Sequence, residues 1–126
     1  MPELGLRAGG FWGLRRALRR TSRPGTFSTA DLRHYHKAWA RPGALTAMLN
    51  WYRALRFSTG SGSARVGVPV RVIWGDQDAF LEAGLAEAGA ALCDHAEVFH
   101  LPGATHWVQH EEAELVNRLL IEFLTV

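Results

Sequence analysis

Cysteine is almost absent. Cys93 stands alone among 126 residues, so no disulfide can close within the chain. Long apolar runs are absent too: no stretch approaches the roughly 18 residues that a membrane-spanning helix requires. The segment Met1 to Gly10 also lacks the apolar core of a secretory signal. These features suit a reducing, cytoplasmic setting and no membrane partner. The six histidines are scattered without a metal-site context, so neither a metal nor another cofactor is expected. There is no internal repeat and no extended low-complexity segment. What is present is enough apolar residue, 48% of the chain, for a packed core of one domain's size.

Acidic residues are scarce in the first part and basic ones in the second. Residues 1–71 hold 13 basic and 2 acidic side chains, and residues 72–126 hold 1 basic and 10 acidic. Such a split fits a nucleic-acid arm built on Arg15, Arg16, Arg19, Arg20 and Arg23, or an acidic lipid partner. The plainer fit is two surfaces that attract each other, or two layers of one larger protein. The reading adopted is the second, with no nucleic-acid partner.

Phe11, Trp12, Leu14 and Leu18 predict a short basic amphipathic helix over residues 11–21. Arg23-Pro24-Gly25-Thr26 is turn chemistry. Ser28 has the character of an N-cap, with Asp31 placed to favour the positive end of the next helix. That helix carries Leu32, Tyr35 and Trp39, and Arg41-Pro42-Gly43 stops it. A third helical stretch runs from Ala44 to about Leu55. Gly60-Ser61-Gly62-Ser63 reads as a flexible loop.

Composition then changes. Val68 to Trp74 predicts a strand buried on both faces, with Pro69 tolerated at its start and Gly75 ending it. Leu81, Leu85, Ala88 and Leu92 mark a helix, Glu97 to Leu101 a second strand, and Pro102-Gly103 a turn. Leu115, Val116, Leu119, Leu120, Phe123 and Leu124 form one face of a closing helix. The order strand–helix–strand–helix implies a parallel pair with a right-handed crossover. Two parallel strands are few to stand alone, so the sequence reads as the end of a larger sheet. The expected division is a helical segment, 1–64, and a β-α-β-α part, 65–126.

Asp76 and Asp78 follow the first strand on a turn begun by Gly75, and His106 follows the second strand. In open parallel sheets the carboxyl ends of the strands line the functional crevice. A carboxylate there can fix the tautomer of an imidazole and stabilise its cation. Asp78 and Asp76 are both candidates for that acid, the second with helix capping as its alternative role.

The segment Val72-Ile73-Trp74-Gly75-Asp76-Gln77-Asp78-Ala79-Phe80-Leu81 resembles the acid segment of α/β-hydrolases. Gly103-Ala104-Thr105-His106-Trp107-Val108-Gln109 resembles their histidine segment. Leu49-Asn50-Trp51-Tyr52-Arg53-Ala54, within the phrase Tyr35 to Arg53, resembles the cap of epoxide hydrolases and related dehalogenases. The resemblance runs from about Gly25 to Phe123. It implies the C-terminal portion of an α/β-hydrolase fold, a helical cap remnant followed by a two-stranded parallel unit.

By this resemblance Asp78 is the triad acid, His106 the general base, and Tyr52 a cap tyrosine that holds the epoxide oxygen. Trp51, Phe80 and Trp107 would line the substrate pocket, although Tyr52 and the aromatics could equally pack in the core. The implied substrate is a small apolar epoxide, opened through an aspartyl ester that His106 hydrolyses with water. Thr105 stands where the family usually has Gly, and Ala113 where it often has Pro. No Gly-x-Ser-x-Gly or Gly-x-Asp-x-Gly elbow occurs in the sequence, and no His-Gly-x-Pro segment. The nucleophile and oxyanion hole are therefore expected from a missing N-terminal half, with a non-catalytic remnant or interaction module as the alternative. Dehalogenase and serine esterase are the neighbouring enzyme classes. Self-association through an unpaired strand edge is also expected.

Overall fold

The computed structural model describes residues 2–57 and 65–125. The expected loop Gly60-Ser61-Gly62-Ser63 and the 64/65 boundary lie outside them. Two compact units emerge. One comprises Met1–Arg20 and Phe27–Gly62, the other Thr21–Thr26 and Ser63–Val126.

The first unit is helical. Helix α1 (Pro2–Thr21) is broken at Ala8–Phe11, where Gly9, Gly10 and Phe11 adopt φ of 56°, 62° and 63°. The regular stretch beyond the break matches the helix expected over residues 11–21. A left-handed phenylalanine is costly. Burial of its ring, 5.9 Å from Trp39 and edge-on to His36 at 5.0 Å, offsets that cost. Helix α2 (Thr29–Trp39) opens on a capping box: Asp31 N–H donates to Ser28 Oγ, and the Ser28 N–H donates to Asp31 Oδ2. Leu32 and Trp39 are its buried residues. Gly43, at φ 77°, starts helix α3 (Ala44–Leu55), whose buried residue is Leu45.

The second unit is built on strand β1 (Val70–Gly75), helix α4 (Gly84–Ala90), strand β2 (Ala96–Leu101) and helices α5 (Val108–Glu111) and α6 (Ala113–Leu124). β1 and β2 pair in parallel, in register from Val70↔Ala96 to Gly75↔Leu101. Arg71 ties the closing helix to this sheet. Its guanidinium pairs with Glu97, donates to the Leu119 carbonyl at 2.6 Å, and lies over the rings of Phe99 and Phe123. Val116 and Leu119 are the buried residues of α6.

Two expectations need correction. β1 is half-buried rather than covered on both faces: five of its six residues are partly exposed and Gly75 is buried, as befits a strand of a two-stranded sheet. Helix α4 is shorter than the span marked by Leu81, Leu85, Ala88 and Leu92. Leu81 precedes it and Leu92 follows it, and the residue it buries is Ala86. Leu85 is exposed within the helix, and the side of α4 that packs on the two strands carries Ala86.

Candidate active site

Gly75 ends β1 where the chain has no room for a side chain. A Cβ there would lie 2.2 Å from the Thr105 carbonyl oxygen and 2.7 Å from that of Ala104. This close approach stitches the loop after β1 to the loop after β2. Asp76 N–H donates to the Leu101 carbonyl at 3.1 Å and Gln77 N–H to that of Ala104 at 2.9 Å. The Gln77 side-chain amide reaches the Pro102 carbonyl.

The stitched loops bring Asp78 and His106 together. His106 Nδ1 lies 2.7 Å from Asp78 Oδ2. The other carboxylate oxygen accepts from the Phe80 and Leu81 N–H groups at 2.7 and 3.1 Å. The Asp78 side chain is only 8% exposed. Burial pushes its carboxyl upward, but the bonds from His106, Phe80 and Leu81 outweigh that effect. The group is held below the usual carboxylate range. An ionised carboxylate only accepts, so Nδ1 carries the proton and Nε2 is left as the basic nitrogen. The His106 ring is part-exposed and meets Phe80 edge-on at 5.0 Å and Trp107 at 5.3 Å. A cleft of about 170 Å³ opens here, lined by Ile73, Trp74, Gly75, Asp78, Leu81, Thr105, His106 and Val108.

Asp76, the competing acid, faces elsewhere. It bonds His100 Nδ1, and Glu87 bonds the other ring nitrogen. His100 therefore sits between two carboxylates, one on each ring nitrogen. Its pKa is raised, first by the Asp76 bond and then by the Glu87 bond.

Glu111 escaped the sequence reading. Its side chain is fully covered. It accepts from the Thr105 N–H at 2.7 Å, the Thr105 hydroxyl at 2.8 Å and the Arg23 N–H at 2.7 Å. Arg23 also reaches Glu112 at 2.8 Å. Burial raises the Glu111 carboxyl, but these bonds outweigh it and hold the group low. Thr105, where glycine was expected, thus gives the histidine loop a side-chain anchor that glycine lacks. The Trp107 indole N–H donates to Thr21 Oγ1 at 2.9 Å, fixing the other side of His106. The short α5 carries Glu111 back beneath the loop. Four residues offer too little periodicity to be read from sequence.

Tyr52 and Trp51 lie on α3 of the helical unit, 70% and 75% exposed. Phe80 is exposed and Trp107 half-buried. Among the described residues, no group of three or more His, Cys, Asp or Glu could hold a metal ion, and no helix is long and apolar enough to cross a membrane.

No family model matches the chain. Individual proteins do. It is 41% identical over 125 residues to the AB hydrolase superfamily protein YfhM of Bacillus subtilis, covering 98% of this chain and 44% of that one. It is 31% identical over 132 residues to Epoxide hydrolase 2 of Caenorhabditis elegans, covering 98% and 37%. A Bacillus megaterium epoxide hydrolase solved with an inhibitor superposes with a TM-score of 0.80 at 24% identity, over 97% of this chain and 46% of that one. The chain thus spans less than half the length of these relatives.

Proposed function

Since the chain belongs to the α/β-hydrolase superfamily and is epoxide hydrolase-like, we propose that Asp78 and His106 are the acid and general base of a hydrolase site acting on a small apolar epoxide. The single observation that carries this reading is the 2.7 Å contact between Asp78 Oδ2 and His106 Nδ1 at the shared carboxyl edge of the two strands. It orients the ring and leaves Nε2 to take a proton from water. As that proton arrives, the ionised Asp78 stabilises the imidazolium.

In the complete reaction a carboxylate nucleophile opens the epoxide and forms an ester. Water activated by His106 then hydrolyses the ester and frees the nucleophile. Tyr52 donates its phenolic hydrogen to the oxygen that becomes negative. Trp51, Phe80 and Trp107 supply apolar walls. In this reading residues 1–64 are a cap-like segment, residues 65–126 belong to the hydrolase core, and the setting is cytoplasmic.

The 126 residues contain no nucleophile elbow. We therefore propose that turnover requires a nucleophile from outside them. The same absence favours a second reading, a non-catalytic interaction module that keeps the fold. Haloalkane dehalogenation or ester hydrolysis would follow if the elbow carried a suited Asp or a Ser.

The test joins this chain to the complementary first half of the Bacillus subtilis relative. Hydrolysis of an aryl epoxide and of a nitrophenyl ester is then measured with and without His106→Ala. Epoxide turnover that falls at least about 10³-fold supports the proposal. Turnover indifferent to the substitution sinks it, and a folded, inert chimera supports the module.

A further inference from the structure

The helical unit contains ten basic residues and two acidic ones. Both acids are engaged: Glu3 pairs with Arg53 at 2.9 Å, and Asp31 forms the capping box of α2. Against that background α1 and α2 form a groove of about 420 Å³. Arg15 and Arg19 line it from α1, and Arg33, His36 and Lys37 from α2, over the buried Leu32. Among the described residues, no acidic side chain lines it. Arg15, Arg19, Arg33 and Lys37 form no ion pair among the described residues.

Spacing makes this arrangement unusual. Arg15 and Arg19 are four residues apart, as are Arg33 and Lys37, so each pair projects from one helix face. Like charges at that spacing repel and disfavour their helix. Two such pairs facing one groove compound the repulsion, and no carboxylate within it relieves them. A guanidinium offers parallel N–H donors that match phosphate oxygens two at a time. Two cationic pairs face the groove from opposite walls.

We propose that this groove binds a compact polyanion carrying two or more phosphate groups. The site is independent of the Asp78–His106 pair. Concavity favours a small ligand over a membrane or a nucleic-acid duplex. A flat anionic surface would be met equally by Arg16 and Arg20, which do not line the groove but border, with Arg15 and Arg19, a smaller hollow around the exposed Trp12, Arg16 lying over its ring at 5.2 Å.

The experiment titrates inorganic tripolyphosphate into the full chain by calorimetry, at low and at near-physiological salt. Two double variants of equal charge loss are compared, R15Q with R33Q and R16Q with R20Q, each checked for native circular dichroism. The groove predicts one-to-one binding that weakens with salt. The first variant should lower affinity about tenfold or more, and the second by less than about twofold. Absence of binding at low salt overturns the proposal, as does equal loss in both variants. Preferential binding of anionic vesicles or duplex DNA that tripolyphosphate fails to displace also overturns it. A double variant that misfolds is replaced by the single R33Q, for which loss of affinity supports the site and unchanged affinity overturns it.

Discussion

Replacing Gly75 with alanine puts one methyl where two loops touch. Its Cβ would sit 2.2 Å from the Thr105 carbonyl oxygen and 2.8 Å from the Ala104 carbonyl carbon. Reaching ordinary contact requires the loops to part by about 1.2 Å, and such overpacking costs roughly 1–3 kcal/mol. Parting also strains the bonds from Asp76 to Leu101 and from Gln77 to Ala104. Each backbone bond is worth about 1 kcal/mol net. Gly75 lacks a left-handed φ, so alanine also limits the unfolded chain and stabilises by about 0.4–1 kcal/mol. The clash wins, leaving a loss of about 2–4 kcal/mol, or roughly 10 °C in Tm for a chain of this size. The same displacement carries His106 out of the 2.7 Å contact with Asp78. A misplacement near 1 Å can cost about 10²-fold in rate. Thermal melting followed by circular dichroism reads the first effect, and the nitrogen-bound ring proton of His106 in NMR reads the second. A Gly75→Ala protein that melts with the native one and keeps that proton signal would refute the account of how the loops are joined.

Asp78→Asn should leave the fold intact but lose tautomer control, lowering turnover of the joined chimera by about 10⁴-fold; steady-state kinetics at neutral pH check it. Glu111 and Asp78 have lowered folded pKa values, so their stabilisation is full above the unfolded values of 4.5 and 3.8 and fades as pH falls through the folded ones. Urea melts across the acid range should therefore show a falling limb that Glu111→Gln makes shallower, and an unchanged limb would count against the anchor. His100 works in the opposite sense. Its raised pKa means that the bonds to Asp76 and Glu87 stabilise fully below 6.5 and fade as pH rises through the folded value. His100→Gln should remove that alkaline loss, measured by the same melts above neutrality. Finally, Trp51, Tyr52, Phe57, Ile121 and Leu124 are all more than half exposed, so the isolated chain should self-associate. Sedimentation velocity over a concentration series would show it, and a monodisperse monomer would not fit.

Residues that act on near neighbours were readable in advance. Ser28 and Asp31 announced a helix start because a capping box closes within three residues, and Pro42-Gly43 marked the break before Ala44 to Leu55. β-branched Val70, Val72 and Ile73 and the Gly75-Asp76 turn foretold where a carboxylate would leave the sheet. Contacts between distant residues were decided otherwise. Asp76 and Asp78 both follow the strand on one turn, and of the sequence signals only the family resemblance favoured Asp78. The 28-residue return to His106 and the touching carbonyls at Gly75 select Asp78 and send Asp76 to His100. Glu111 meets Arg23 across 88 positions, and no local pattern encodes such a pairing. Ala86, not its leucine neighbours, is buried because that side of α4 docks on the two strands. Local chemistry thus determined which elements form and which groups stand at their ends. Only the packing of remote segments decided which of those groups meet.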